Sequence, residues 1–170
     1  MARQLWLLRH ADAEPHGTRA DSERRLTARG ERQARLAGVA LGRAEVSFTA
    51  VLVSPKVRAQ QTAALAAEEW GVQPGVEQQA ALQTYAPLAG GFDAAQALDT
   101  LAGSDADARV LLVGHEPDLS GIVAELTGAR VDLKKGGLAV VRLEGGGGEL
   151  VILLRPRELA LIANLATADV

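Results

Sequence analysis

Two short segments of the 170-residue chain echo each other: Leu5-Trp6-Leu7-Leu8-Arg9-His10 and Val110-Leu111-Leu112-Val113-Gly114-His115. Each is an apolar run that ends in a histidine, so each imidazole is expected one residue past the carboxyl end of a buried strand. In open α/β sheets that edge is where ligands bind. A third apolar run, Ala50–Val53, leads into Ser54-Pro55-Lys56-Val57-Arg58, with Arg58 in the first turn of a helix. A cation is badly placed there for the helix dipole unless it and the helix N-terminus hold an anion together. Taken singly, each residue has a plain structural explanation: a hydrogen-bonded histidine at a strand end, or a solvated arginine. Taken together, Arg9, His10, Arg58 and His115 suit a phosphoryl group. Guanidinium forks bind its oxygens in bidentate fashion, and an imidazole can attack phosphorus or donate a hydrogen bond.

Positioning these residues requires a layered sheet. Leu5–Leu8, Ala50–Val53, Val110–Val113, Leu138–Leu143 and Leu150–Leu154 read as strands, each a continuous apolar run of the kind covered on both faces. Helical patterns lie between them. Thr27 is placed to cap Ala28–Gly42, and Ser54-Pro55 reads as the start of a helix that runs to Trp70 and stops at Gly71. Further helices are expected over Phe92–Leu101, over Glu116–Leu126 with a close at Gly128, and over Arg157–Leu165 after Pro156. The alternation predicts a three-layer α/β/α domain spanning residues 1–170, with a mostly parallel sheet. Only Gly145–Gly148 separates the last two strands, so they form a hairpin that puts one antiparallel strand near the C-terminus. The polar segment Ala11–Arg25, interrupted by Pro15 and Gly17, is a loop long enough to suggest function or mobility.

Composition narrows the chemistry. With no cysteine and only three histidines (His10, His16, His115), the chain has no thiolate nucleophile and little material for a metal site; no metal and no cofactor is expected. A formal net charge of −3 argues against a nucleic-acid groove and a polybasic membrane anchor. No apolar run approaches a membrane span or a signal-peptide core, so a cytoplasmic protein is expected. Arg outnumbers Lys and Ala is abundant, as in a GC-rich bacterial coding bias.

Four motifs in order carry a family resemblance. Leu8-Arg9-His10-Ala11 resembles the Arg-His-Gly signature of the histidine phosphatase superfamily, with Ala11 in place of the glycine, a variant associated with its SixA-like phosphohistidine phosphatase branch. Arg24-Arg25-Leu26-Thr27-Ala28-Arg29-Gly30, Ser54-Pro55-Lys56-Val57-Arg58-Ala59-Gln60-Gln61-Thr62 and Gly114-His115-Glu116-Pro117 are similar to further segments of that branch. The resemblance spans residues 8–117 and implies the histidine phosphatase fold and a cofactor-free phosphatase. In it His10 would be the nucleophile, Arg9, Arg58 and His115 would clamp the phosphoryl oxygens, and Arg24 and Glu116 would face the substrate. Two neighbouring guanidinium groups should keep the His10 imidazole neutral.

Many relatives supply an acid from mid-chain to protonate an alkoxide leaving group, but Ala80–Pro87 contains no carboxylate. Glu77 lies nearby in a different local pattern, and Asp12, Glu14 and Glu116 are the other candidate acids. The gap favours a phosphoramidate such as protein phosphohistidine over a small phosphate ester. The alternatives are a small-molecule phosphomonoesterase of the same superfamily and a phosphate-binding module without turnover. Expected partners are therefore a phosphorylated protein or a small phosphorylated substrate, with the oligomeric state open. His16 could line the pocket mouth or be plain surface, and Trp6 and Trp70 read as core.

Overall fold

The computed structural model describes residues 2–71 and 80–164. Its sheet contains β1 (Arg3–Arg9), β2 (Ala50–Val53), β3 (Leu82–Thr84), β4 (Arg109–Gly114), β5 (Leu138–Glu144) and β6 (Gly147–Leu154). They are ordered β3-β2-β4-β1-β5-β6. The first four pair in parallel, whereas β5 runs antiparallel to both β1 and β6. Helices α1 (Ala28–Arg43), α2 (Val57–Trp70), α3 (Ala94–Asp99), α4 (Asp118–Thr127) and α5 (Pro156–Asn164), with short 3-10 turns at Asp21–Glu23 and Ala86–Ala89, complete the described elements.

The sheet divides the interior into two cores. Trp6, Leu8, Leu111, Val113, Leu138 and Val140 pack against Ala37 and Leu41 of α1, Ala63 and Trp70 of α2, and Leu159 of α5. Their immediate neighbours Leu5, Leu7, Val110, Leu112, Ala139 and Val141 point the other way, against Ala97 of α3 and Leu119 and Ile122 of α4. This period-two partition explains the unbroken apolar runs: both faces of the central strands are dry. Leu5, Leu7 and Leu8 are fully buried, and each such side chain contributes about 1.5–3 kcal/mol by leaving water. The edge strand β6 departs from the expected pattern. Its exposure alternates, with Val151 39% and Leu153 43% accessible, because only one of its faces is covered.

Local chemistry sets the element ends. Thr27 Oγ1 accepts the Gly30 N–H and caps α1 as expected. α2 begins later than Ser54-Pro55 suggests: its cap is Lys56, with no side-chain bond, and the Ser54 hydroxyl lies between the Lys56 N–H and the His115 ring. α4 likewise begins at Asp118; Glu116 lies before it and caps it by accepting the Ser120 N–H. The expected Phe92–Leu101 helix shortens to α3, where Asp93 and Gln96 close a reciprocal capping box. Leu165, the expected end of the last helix, lies outside the described residues, as does Glu77. The glycine run resolves into a tight turn at Gly145 (φ +58°) and Gly146 (φ +87°), with Gly147 and Gly148 already in β6.

One contact matters for the site. Gly30 in the first turn of α1 presses on the backbone of Asp12, where a Cβ would overlap the carbonyl. The Thr27 N–H donates to the Asp12 carbonyl as well, at 3.1 Å. The start of α1 therefore fixes the path of the chain as it leaves β1.

Candidate active site

The parallel register pairs Arg9 with Gly114, so the next residue on each strand is a histidine and the two rings stand side by side. Their centroids are 5.2 Å apart and tilted by 49°. The neighbouring strand, β2, delivers Ser54 and then Arg58 in the first turn of α2. Arg9, His10, Arg24, Arg58, His115 and Glu116 all line one cavity of about 390 Å³ at this end of the sheet. All six sequence-derived candidates thus meet in one place. His16 is at the same cavity, while Asp12 is directed elsewhere, bonded to Thr27 at 2.8 Å and to Lys135 at 3.2 Å.

Hydrogen bonds decide what each ring can do. His10 Nδ1 lies 2.8 Å from the Ala11 carbonyl oxygen, which can only accept, so Nδ1 carries the proton and donates it. Burial pushes the His10 pKa down to about 4, with Arg58, Arg9 and Lys135 adding to the shift against the Ala11 bond. Neighbouring arginines were expected to keep this ring neutral; they contribute, but loss of water is the larger cause. The consequence is a neutral imidazole whose Nε2 lone pair is free. Ala11 itself is fully buried, with its N–H donated to Thr62 Oγ1 at 3.0 Å and no left-handed backbone, so the position accommodates alanine.

His115 is bound through its other nitrogen. Nε2 lies 2.7 Å from Ser54 Oγ, and that oxygen already accepts the Lys56 N–H at 3.3 Å. When the hydroxyl donates to Nε2, the ring proton sits on Nδ1, the tautomer assigned to His115 here. Burial, followed by His10 and Arg58, lowers the His115 pKa to about 3. This histidine is also neutral near pH 7, but it offers a donor rather than a lone pair.

The two guanidinium groups are held from behind. Arg9 Nη1 donates to the Leu133 carbonyl at 2.9 Å, and Arg58 Nη1 donates to the Asp21 carbonyl at 2.6 Å, with Nη2 3.3 Å from Asp21 Oδ2. Burial lowers the pKa of both arginines, and Asp21 counters this at Arg58. Arg9 Nε, Arg58 Nε and His115 Nδ1 are buried without a hydrogen-bond partner among the described residues. Each unpartnered buried donor costs about 1–3 kcal/mol. Trp70 Nε1 in the core is a fourth such atom, but these three belong to residues that line the cavity, which suits a bound oxyanion.

Asp21, which sequence reasoning left inside the Ala11–Arg25 loop, ties that loop to the site. It bonds Lys56 and Arg24 at 2.8 Å and holds Arg58, and these cations keep its carboxyl well below the ordinary range. Arg24, expected to face substrate, is buried and spends Nε and Nη2 on Asp21 and Nη1 on the Glu14 carbonyl. Lys135 also lines the cavity. Its only sequence signal is its place in Lys134-Lys135-Gly136-Gly137, and Gly136 (φ +73°) donates its N–H to the Arg9 and His10 carbonyls. Among the described residues, no three His, Asp or Glu side chains converge as metal ligands. No helix there is long and apolar enough to cross a membrane.

Comparison with known proteins agrees with this geometry. The model of the histidine phosphatase superfamily (branch 1) matches residues 5–84. An uncharacterized protein of Picosynechococcus sp. PCC 7002 is 36% identical over 145 residues, covering 82% of this chain and 84% of that protein. The structure of the protein histidine phosphatase SixA complexed with tungstate matches with a TM-score of 0.77 and 27% identity, covering 92% of this chain and 99% of that one. A mycobacterial glucosyl-3-phosphoglycerate phosphatase shares the fold with a TM-score of 0.68 and 18% identity, over 91% of this chain and all of that one (100%).

Proposed function

The chain belongs to the histidine phosphatase superfamily, and on that premise we propose that it removes the phosphoryl group from protein phosphohistidine through a covalent intermediate on His10. The observation that carries the reading is the free Nε2 of a neutral His10 beside three unpartnered buried nitrogens. In the first step His10 Nε2 bonds to phosphorus as the bond to the substrate imidazole breaks, and the departing nitrogen takes up a proton from water. Arg9, Arg58 and the His115 Nδ1–H hold the phosphoryl oxygens while charge shifts in the transition state. In the second step water attacks phosphorus, releasing phosphate and restoring His10. Arg24 positions Asp21, and through it Arg58, rather than touching the substrate.

Phosphohistidine is favoured because its leaving imidazole is easily protonated. The cavity wall after the 80–87 segment is Ala89, Gly90 and Gly91. Of the carboxylates that line the cavity, Glu14 is bonded to Arg19 and the Arg25 N–H, Asp21 to Arg24, Lys56 and Arg58, and Asp118 to the Phe92 N–H, which leaves Glu116. The SixA relative, a protein histidine phosphatase, points the same way. A small-molecule phosphomonoesterase is the second reading, and Glu116 is the observation behind it. One of its oxygens is held by the Ser120 N–H while the side chain lines the cavity, where it could protonate an alkoxide. A substrate panel separates the two: the first reading expects kcat/KM for a phosphohistidine protein to exceed that for alkyl phosphates by several orders of magnitude. Equal or reversed values, with activity lost in Glu116→Gln, establish the second.

A further inference from the structure

A second cleft, of about 460 Å³, adjoins the catalytic cavity and shares Arg9 and Lys135 with it. Arg29, Lys134, Arg155 and Arg157 add to its wall, and its one acidic lining residue among the described residues is Asp12, whose charge also acts on Arg29. Six cations thus face one carboxylate in a chain whose formal net charge is −3. They come from four separate places: the end of β1, the first turn of α1, the loop before β5 and the start of α5. Lys134 and Arg155 are partly neutralised by Asp132 and Glu158, and Lys135 by Asp12. Arg29 and Arg157 are exposed and make no ion pair or hydrogen bond among the described residues. Both occupy first turns of helices, where the dipole disfavours cations. Two such placements opening on one cleft make sense if an anionic partner lies there.

We propose that this cleft is the docking groove for an acidic stretch of the phosphoprotein substrate, flanking the phosphohistidine held in the catalytic cavity. The inference rests on the function proposed above and specifies its substrate class. Because Arg9 and Lys135 wall both spaces, one chain can enter both. In an extended peptide, residues two or three positions from the phosphohistidine lie about 7–10 Å from it, close enough to place carboxylates among the six cations. A single-stranded nucleic acid fits less well. Such ligands rely on aromatic stacking, and no aromatic residue among the described residues lines the cleft.

The test uses two fluorescein-labelled peptides of equal length, one with glutamates on both sides of a histidine and one with glutamines. Each is titrated against the full chain, and each is also histidine-phosphorylated and assayed for turnover. The glutamate peptide should bind about tenfold more tightly at low salt, with the gap closing as salt rises. Arg29→Ala/Arg157→Ala should reduce that gap below about threefold, whereas Arg29→Lys/Arg157→Lys should retain it. Hydrolysis of p-nitrophenyl phosphate and the melting temperature should stay unchanged in both variants. Equal binding of the two peptides, or an undiminished gap in the alanine variant, overturns the proposal. So does tighter binding of a single-stranded oligonucleotide of equal charge. If the acidic preference and its loss are observed but neither phosphopeptide is turned over, the groove stands and the phosphohistidine reading fails.

Discussion

The ends of β1 and β4 present the same local structure with opposite chemistry. Each is a buried parallel strand followed by a histidine, and the two are joined in one ladder, with the His10 N–H donated to the Gly114 carbonyl at 3.0 Å. At the first, the carbonyl of the next residue, Ala11, accepts the Nδ1–H and leaves Nε2 bare. At the second, the Ser54 hydroxyl, just past the end of β2, pairs with Nε2, and with the hydroxyl as donor Nδ1 keeps its proton. One ring can attack phosphorus and the other can donate to an oxygen of it. Strand position brings imidazoles to the site; the hydrogen-bond partner behind each ring sets its role.

That difference makes the two histidines unequal under mutation. His10→Ala should cost about 10⁴-fold or more in kcat, as loss of a nucleophile does. His115→Ala should cost about 10²–10³-fold, as for one lost oxyanion donor. Steady-state rates on one substrate check this, and equal losses would erase the distinction.

Titration offers a second probe of the pair. With the free-enzyme His10 pKa near 4, kcat/KM should hold down to that pH, and a limb near the ordinary histidine value of about 6.5 would contradict the burial argument. The same shift predicts a stability change. Between pH 6.5 and 4 the unfolded chain binds more protons at His10 than the folded one does, so stability falls as pH drops through that window. The loss is on the order of 3 kcal/mol for this group. His115 adds a loss of the same sign that begins at the same pH and runs on to about pH 3, and urea melts at several pH values measure the sum.

Ser54→Ala removes the partner that sets the His115 tautomer and should lower kcat roughly tenfold, with the His10 limb of the pH profile in place. An unchanged kcat would show that His115 needs no such partner. The smallest effect on rate is expected from Gly30→Ala. It should cost about 1–3 kcal/mol of stability by overpacking against Asp12, with only a few-fold loss of kcat/KM as the chain after His10 shifts.

Much of this site was legible because its signals are local. Leu5–Leu8 and Val110–Val113 announce strands by composition, and the residue after each is fixed by chain order. The hairpin was legible too, since consecutive glycines can take the left-handed turn that Gly145 and Gly146 adopt. Ser54 was misread as a helix cap because a serine before proline has a sufficient local explanation, while its true partner His115 lies 61 positions away. β3 was missed because Leu82–Thr84 is short and exposed on an edge, with no apolar run to mark it. Asp21 and Lys135 were missed for a related reason: their roles come from cations and strand ends that only the tertiary fold brings near.

The central claim is that His10, not His115, carries the phosphoryl group. Rapid mixing with a phosphohistidine protein, an alkaline quench that preserves phosphoramidates, and mass spectrometry of the digested chain test it directly. The account predicts phosphate on the peptide containing His10, rising within the first turnover and absent from the peptide containing His115. Turnover without any phosphorylated His10, or with phosphate on His115, would contradict it.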